Sequence, residues 1–163
     1  MAIADILTSI EESGIATSIR ESALLFPMVE SIHVIALAFV FGTVALLDLR
    51  LLGLASRKLR ISRLSSDLLP WTWGAFALSA MTGLLLLSST AIRYYDNTPL
   101  RWKFFFMAMA GINMLIFHFV TYKGVARWDT DPVPPTAARV AGGLSLLFWT
   151  LVVFFGRWIG FTV

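Results

Sequence analysis

Two histidines are the side chains best suited to carry chemistry, and the first stands early in a long apolar segment. His33 lies about two helical turns inside that segment, and Glu30 precedes it by three residues on the same helical face. A carboxylate beside an imidazole fixes its tautomer or raises its basicity. The pair predicts metal ligation or proton handling at His33. The alternative is a histidine hydrogen-bonded to a backbone or hydroxyl group in a packed interior.

The second histidine ends a stripe of residues on one helical face. Lys103, Met107, Gly111, Met114 and His118 recur at offsets of 4, 8, 11 and 15 residues, which a helix places in line. Haem iron accepts histidine and methionine as axial ligands, and glycine leaves room for a flat porphyrin. The stripe is therefore a candidate cofactor wall. The alternative is that methionine fills an irregular core and glycine lets helices touch.

The depths of the two histidines disfavour a single haem clamped between them. With span centres near residues 40 and 112, His33 lies toward one membrane face and His118 toward the other, an offset of about 19 Å. Two arrangements remain open: two haems at different depths, or one haem on His33 with Met107, Met109, Lys103 or a vacant position opposite.

Further charged residues of the apolar segments have simpler interpretations beside the functional ones. Arg157 and Lys103 could neutralise haem propionates, because cationic donors pair with carboxylates, or they could serve as interfacial anchors. Asp48 and Arg50 stand at the end of the first segment, where a local ion pair or snorkelling to the interface accounts for them.

The composition requires a membrane to position these residues. A chain of 163 residues with 58% hydrophobic and only 14% charged residues is too apolar for a water-facing surface, which excludes a soluble domain. Without cysteine there is no disulfide, no thiol chemistry and no cysteine-ligated zinc or iron–sulfur cluster. The basic residues lie in connections beside apolar segments, which indicates membrane topology rather than nucleic-acid binding.

Four apolar segments, near residues 27–50, 71–92, 103–122 and 139–160, each suffice to cross a hydrocarbon core of about 30 Å. The prediction is an all-α transmembrane four-helix bundle of up-down-up-down topology, forming a single membrane domain over residues 1–163. Six glycines are expected to allow close helix approach: Gly42, Gly74, Gly83, Gly111, Gly142 and Gly143. Thr82 and Asn113 are expected to form hydrogen bonds between helices.

The ends of the spans carry signals of orientation. Residues 1–22 contain a short amphipathic pattern that breaks at Ser13-Gly14, which predicts an interfacial helix before the first span. Eight Lys and Arg residues lie on the side of the connections after spans one and three, against five on the other side. Because basic residues accumulate on the cytoplasmic face, both termini are expected to be periplasmic in a bacterial inner membrane.

Four stretches carry a resemblance over nearly the whole chain: ESIHVIALAFVFGTVALLDLRLLG (30–53), WTWGAFALSAMTGLLLL (71–87), RWKFFFMAMAGINMLIFH (101–118) and SLLFWTLVVFFGRWIGF (145–161). They resemble a family of small four-span bacterial inner-membrane proteins of uncharacterised function. The early histidine, the stretch Thr82–Leu87 and the lysine opening span three are more distantly similar to the copper-resistance D-type and protoporphyrinogen-oxidase-like four-helix proteins. The latter are haem b proteins with a span-one histidine, a likeness that places their ligand at His33.

These observations predict a haem b-binding, cytochrome b-like membrane protein that transfers single electrons, with one or two haems held by His33 and His118. The expected partners are the lipid bilayer, a quinone or a periplasmic redox protein, and a larger membrane complex or further copies of the chain. The alternative is a cofactor-free membrane subunit or small transporter that handles protons or copper through His33 and Glu30. The sequence leaves open whether the protein is an enzyme.

Overall fold

The computed structural model describes residues 3–162, and within that range every regular element is a helix. Residues 1 and 2 of the predicted interfacial segment, and residue 163, lie outside it. The elements are α1 (Ile3–Glu11), α2 (Gly14–Glu21), α3 (Leu25–Leu51), α4 (Ile61–Ser89), α5 (Ala91–Tyr95), α6 (Thr98–Ile116) and α7 (Thr136–Ile159). A π-helical turn, Phe117–Thr121, and a 3₁₀ helix, Tyr122–Arg127, continue α6.

Four helical segments are long and apolar enough to cross a membrane, which confirms the predicted multi-span protein. They are Leu25–Leu51, Ile61–Ser89, Thr98–Arg127 and Thr136–Ile159. Helix α3 packs against both α4 and α7, and α7 packs in turn against α6. In the described part of the chain, α4 and α6 make little or no direct contact. The spans therefore pack in the order α4, α3, α7 and α6.

One end of the bundle is closed by side chains from the ends of all four spans. Leu51, Ile61, Phe117, Trp128 and Ala138 form a buried cluster there, each less than a tenth exposed. This end also carries the connections 52–60 and 128–135, and we refer to it as the connection end. Burial of these large apolar side chains stabilises it by the hydrophobic effect.

The second span begins earlier than predicted, at Ile61 rather than near residue 71. Its first turns contain Arg63 and Asp67, so hydropathy alone places the start of the span too late. The carboxylate of Asp129 accepts hydrogen bonds of 2.7 Å from both the backbone N–H and the hydroxyl of Ser62. A carboxylate at this position satisfies a free N–H of the first turn and interacts favourably with the helix dipole.

Arg50 ties the two connections together and does not pair with Asp48, so the predicted local ion pair is wrong. Its guanidinium donates hydrogen bonds to the backbone carbonyls of Leu59 (2.9 Å), Asp129 (3.4 Å) and Asp131 (3.0 Å). The side chain is fully buried, so the predicted snorkelling does not apply either. Residues two apart on a helix do not face each other, which is why Asp48 and Arg50 diverge.

The N-terminal segment forms two helices rather than one, with the break at the predicted position. Ser13 caps α2, because its hydroxyl accepts a hydrogen bond of 3.4 Å from the N–H of Ala16. Arg20 donates to the carbonyls of Glu11 and Ser89, and the Glu11 carboxylate accepts from the N–H of Ile92. These bonds fasten α1 and α2 to the end of the bundle opposite the connection end.

Close helix approach holds for some of the predicted glycines and not for others. A β-carbon at Gly142 would lie 3.0 Å from Cβ of Leu51, and one at Gly83 would lie 3.0 Å from Cε1 of His33. At Gly42, Gly74 and Gly111 a β-carbon would meet nothing within 4 Å, so the expectation of close approach is wrong there. Gly111 faces open space inside the bundle.

Candidate functional site

His33 is fastened to the second span by its Nδ1 atom. This nitrogen lies 2.9 Å from the carbonyl oxygen of Ser79 and 3.0 Å from the hydroxyl oxygen of Thr82. A carbonyl only accepts, so Nδ1 carries a proton, and in the neutral imidazole Nε2 is left with its lone pair. Thr82 thereby forms the interhelical hydrogen bond that the sequence predicts.

His33 has a glycine and a lysine as neighbours. The imidazole lies against Gly83, where a β-carbon would come within 3.0 Å of Cε1 and 3.4 Å of Nδ1. The ammonium group of Lys103 acts electrostatically on His33. The aliphatic part of Lys103 runs along Gly156 of α7, where a β-carbon would lie 3.6 Å from Cδ and Cε. His33 of α3 contacts α4, and Lys103 of α6 contacts α7. All four spans therefore contribute to the surroundings of His33.

Two other predicted site residues lie apart from this locality. Glu30 is exposed, and among residues 3–162 its carboxylate forms no hydrogen bond or ion pair, so the partner of His33 is α4 rather than Glu30. Arg157 is also exposed, and its guanidinium carbon lies 4.9 Å from the centre of the Phe161 ring. This cation–π contact holds Arg157 at the end of α7.

The predicted stripe on the third span lines a cavity at the centre of the bundle. Met107, Gly111, Met114 and His118 all face it, whereas Lys103 does not. The cavity has a volume of about 170 Å³, and all four spans contribute to its lining. Trp73, Phe76 and Trp149 add aromatic surface from α4 and α7. His33 is not among the lining residues, so the two histidines occupy separate places.

The imidazole of His118 belongs to the π-helical turn that ends α6. It stacks on Tyr122, with ring centres 5.2 Å apart and planes inclined by 23°, and it meets Phe117 edge to face. Within residues 3–162 its buried Nδ1 has no hydrogen-bond partner. A π-helical turn re-aims side chains relative to an α-helix and is frequent at functional sites.

Asp48 is the cavity residue that sequence reasoning missed. Its side chain is 4% exposed, and its Oδ2 atom has no hydrogen-bond partner among the described residues. The hydroxyl of Ser145 on α7 forms a hydrogen bond to the carboxyl group. The sequence does contain a signal, because Val40, Val44 and Leu47 precede Asp48 at helical spacing on the lining face.

A haem does not fit the cavity at His118. Clefts that enclose drug-sized ligands measure roughly 300–1,000 Å³, and a haem is larger than such ligands. The cavity volume of about 170 Å³ is well below that range. In the described part of the chain, no three His, Cys, Asp or Glu residues are grouped to hold a metal ion.

Asn113 is a further polar residue of the cavity lining, and it joins two helices. Its amide nitrogen donates a hydrogen bond of 2.9 Å to the carbonyl of Ala141, which joins α6 to α7 as predicted. Thr72 donates one of 2.8 Å to Thr43 across the α3–α4 contact. Among the described residues that line the cavity, the buried polar atoms without a partner belong to Asp48 and His118.

One known family covers the four spans and the sites between them. Residues 22–162 match the model of a family of unknown function, DUF6644. The chain belongs to this family. The match takes in all four spans of this DUF6644 member and leaves out both of its N-terminal helices. No curated protein and no solved structure matches the chain.

Proposed function

We propose that this membrane protein binds haem b through His33 and transfers single electrons. The observation that carries the proposal is the bond from Nδ1 of His33 to the carbonyl of Ser79, 2.9 Å long. Histidines that ligate metals almost always donate their other ring N–H to a carbonyl, carboxylate or water, which sets the tautomer and strengthens the ligand. His33 has this arrangement, with Nε2 left as the ligand atom.

The donor set around His33 fits a haem in its chemistry. Ser79 and Thr82 hold the imidazole in one orientation, and Gly83 leaves room for it. The ammonium group of Lys103, whose charge acts on His33, would supply a positive charge for a propionate carboxylate. When bound, haem supplies a one-electron redox couple whose potential follows axial ligation and burial. The protein would hold the imidazole of His33 in a fixed orientation and would balance the negative charge of the propionates within an apolar bundle.

The distant resemblance to copper-resistance D-type and protoporphyrinogen-oxidase-like proteins supports the same choice, because it places a haem ligand at His33. The proposed setting is a bacterial inner membrane with both termini on the periplasmic side. The proposed electron partners are a quinone of the bilayer or a periplasmic redox protein, with assembly into a larger complex or into copies of itself. The exposed position of Glu30 favours haem over the alternative of a proton- or copper-handling His33–Glu30 pair.

The test is the absorption spectrum of the detergent-purified protein, oxidised and then reduced with dithionite, after expression with ample haem supply. We expect an intense Soret band that shifts on reduction and that is lost in His33→Ala. A protein that elutes as a folded species without such a band would overturn the proposal.

A further inference from the structure

Two of the residues that line the central cavity carry a buried polar atom that lacks a partner. Oδ2 of Asp48 and Nδ1 of His118 are buried and unpaired within the described residues, and they come from different spans. Buried polar atoms are nearly always hydrogen-bonded, and leaving one unpaired costs stability. Asp48 is the stronger signal, because only 4% of it is exposed and the surrounding lining is largely apolar. Two such atoms in one cavity indicate a place built for polar groups of a ligand.

The size and lining of the cavity set the shape of that ligand. A cavity of about 150 Å³ lined by apolar side chains holds one benzene ring, and this one has about 170 Å³. Trp73 and Trp149 offer flat aromatic surfaces, and Met107 and Met114 offer adaptable thioethers. The lining is therefore suited to a single six-membered ring.

The unpaired atoms of Asp48 and His118 determine which polar groups the ligand must carry. The carboxyl group of Asp48 accepts a hydrogen bond at Oδ2 when it is ionised and can donate one when it is protonated, so its best partner is a ligand group that does both. A neutral imidazole nitrogen accepts or donates according to its tautomer, so Nδ1 of His118 pairs with either form of a second ring oxygen. A ring with two hydroxyl groups meets both requirements, because a hydroxyl group both donates and accepts hydrogen bonds.

We propose that this cavity binds the hydroquinone head group of a lipid dissolved in the bilayer, with Asp48 accepting a hydrogen bond from one ring hydroxyl. The proposed lateral entrance for such a lipid lies between α4 and α6, because these two spans both line the cavity and make little or no direct contact. The site is separate from His33 and does not depend on the proposed haem.

Tryptophan fluorescence provides the test, since Trp73 and Trp149 line the cavity. The full-length protein in detergent is titrated with a hydroquinone bearing a short alkyl chain and, separately, with its dimethyl ether. We expect saturable quenching by the hydroquinone. Binding of the ether should be weaker by about tenfold or more, because it cannot donate to Asp48. Equal binding of the two compounds, or quenching that never saturates, would overturn the proposal.

Two variants locate the binding. Asp48→Asn should reduce the preference for the hydroquinone over its ether. Gly111→Leu should abolish saturable quenching, because a β-carbon at Gly111 meets nothing within 4 Å and the rest of the leucine side chain would occupy the cavity that this residue lines. The matched control is Gly42→Leu, at an exposed position of α3 that also has nothing within 4 Å and does not line the cavity. Unchanged binding in Gly111→Leu would show that the ring binds elsewhere.

The variants remain informative if the haem proposal fails. Quenching is measured in His33→Ala as well, and the cavity proposal predicts the same affinity there as in the wild type. Circular dichroism and gel filtration establish that each variant is folded before it is titrated. If Asp48→Asn does not fold, Gly111→Leu alone decides, because its substitution replaces a helical glycine by a better helix former.

Discussion

Nδ1 of His33 lies 2.9 Å from the carbonyl oxygen of Ser79, so the histidine of the first span is bonded to the backbone of the second. The same nitrogen lies 3.0 Å from the hydroxyl oxygen of Thr82, and Gly83 lies against the ring. These three residues lie within about one and a half turns of α4 and act on one imidazole. The arrangement both joins two spans and presents Nε2 in a fixed orientation.

Gly83→Ala tests how tightly the imidazole of His33 is held. The added β-carbon would lie 3.0 Å from Cε1, and the ring cannot yield without lengthening its bonds to Ser79 and Thr82. We expect a loss of about 1–3 kcal/mol in the free energy of unfolding, as for overpacked interiors. The measurement is unfolding of the detergent-solubilised protein.

The control for this change is Gly74→Ala on the same helix. A β-carbon there meets nothing within 4 Å, and alanine is favoured over glycine in a helix by roughly 0.5–1 kcal/mol. Gly74→Ala should therefore be neutral or stabilising. Equal stability of the two variants would mean that the imidazole of His33 moves freely, which contradicts a fixed orientation.

Arg50→Lys tests the clamp at the connection end. The guanidinium of Arg50 serves the carbonyls of Leu59, Asp129 and Asp131, and an ammonium group lacks its planar array of donors. The carbonyl of Asp129 keeps its bond from the N–H of Ile61, but those of Leu59 and Asp131 lose the guanidinium. We expect destabilisation by about 2 kcal/mol, since each carbonyl left unsatisfied costs about 1–3 kcal/mol. Hydrogen exchange should increase around residues 59 and 129–131.

Arg63→Lys is the matched exchange on the surface. The side chain of Arg63 is 80% exposed, and its ion pair with Asp67 has a separation of 3.8 Å. An exposed pair contributes about 0–1 kcal/mol, so little change is expected. If Arg50→Lys were as mild as Arg63→Lys, the connections would not depend on the buried guanidinium.

Asp129 should make the stability of the protein fall at acidic pH. Burial raises the pKa of the Asp129 carboxyl group, but the hydrogen bonds from Ser62, together with the charge of Arg60 and the N–H of Ile61, lower that pKa by more. The folded-state pKa is thus below the unfolded value of about 3.9. The carboxylate stabilises the fold above the unfolded pKa, and this contribution is lost as pH falls through the folded pKa.

Asp129→Asn should remove that contribution. We expect the variant to be less stable than the wild type near neutral pH and to approach it as pH falls below about 4. Unfolding midpoints measured between neutral and acidic pH provide the comparison. A constant difference between the two proteins at every pH would show that the charge of Asp129 is not what stabilises the start of α4.

Reporter fusions test the proposed orientation. The amide of Asn97 donates a hydrogen bond of 3.0 Å to the hydroxyl of Thr162, so the C-terminus shares an end with the connection between spans two and three. A phosphatase that works only outside the cytoplasm should be active when fused to the C-terminus. It should be inactive when fused within residues 54–58, and the reverse pattern would invert the topology.

Hydropathy and length are sufficient to predict the four spans, because each is a continuous apolar helix. The start of α4 cannot be predicted in this way, since residues 61–70 are mixed in polarity and their helix is capped by Asp129 from a distant connection. The two N-terminal helices are predictable in principle, because Ser13 is a strong helix-capping residue.

Part of the candidate site can be predicted from the sequence and part cannot. Helical periodicity alone places Met107, Gly111, Met114 and His118 on one face, and these four line the cavity. The partners of His33 cannot be predicted from the sequence, because Ser79 and Thr82 reach it only through packing of α3 on α4.

Asp48 shows the limit of reasoning from neighbours in sequence. Its position two residues before Arg50 suggests an ion pair, but two residues on a helix correspond to opposite directions. Helical phase instead places Asp48 with Val44 and Leu47 on the face that lines the cavity.

Ligation of haem by His33 is tested by comparing His33→Ala with His118→Ala in oxidised and dithionite-reduced absorption spectra, together with the haem content per protein. We predict a reducible Soret band in the wild type with one haem per chain. We also predict loss of that band in His33→Ala and its retention in His118→Ala, whose imidazole lines a cavity too small for haem. A band that survives in His33→Ala, or that disappears in His118→Ala alone, would contradict ligation through His33.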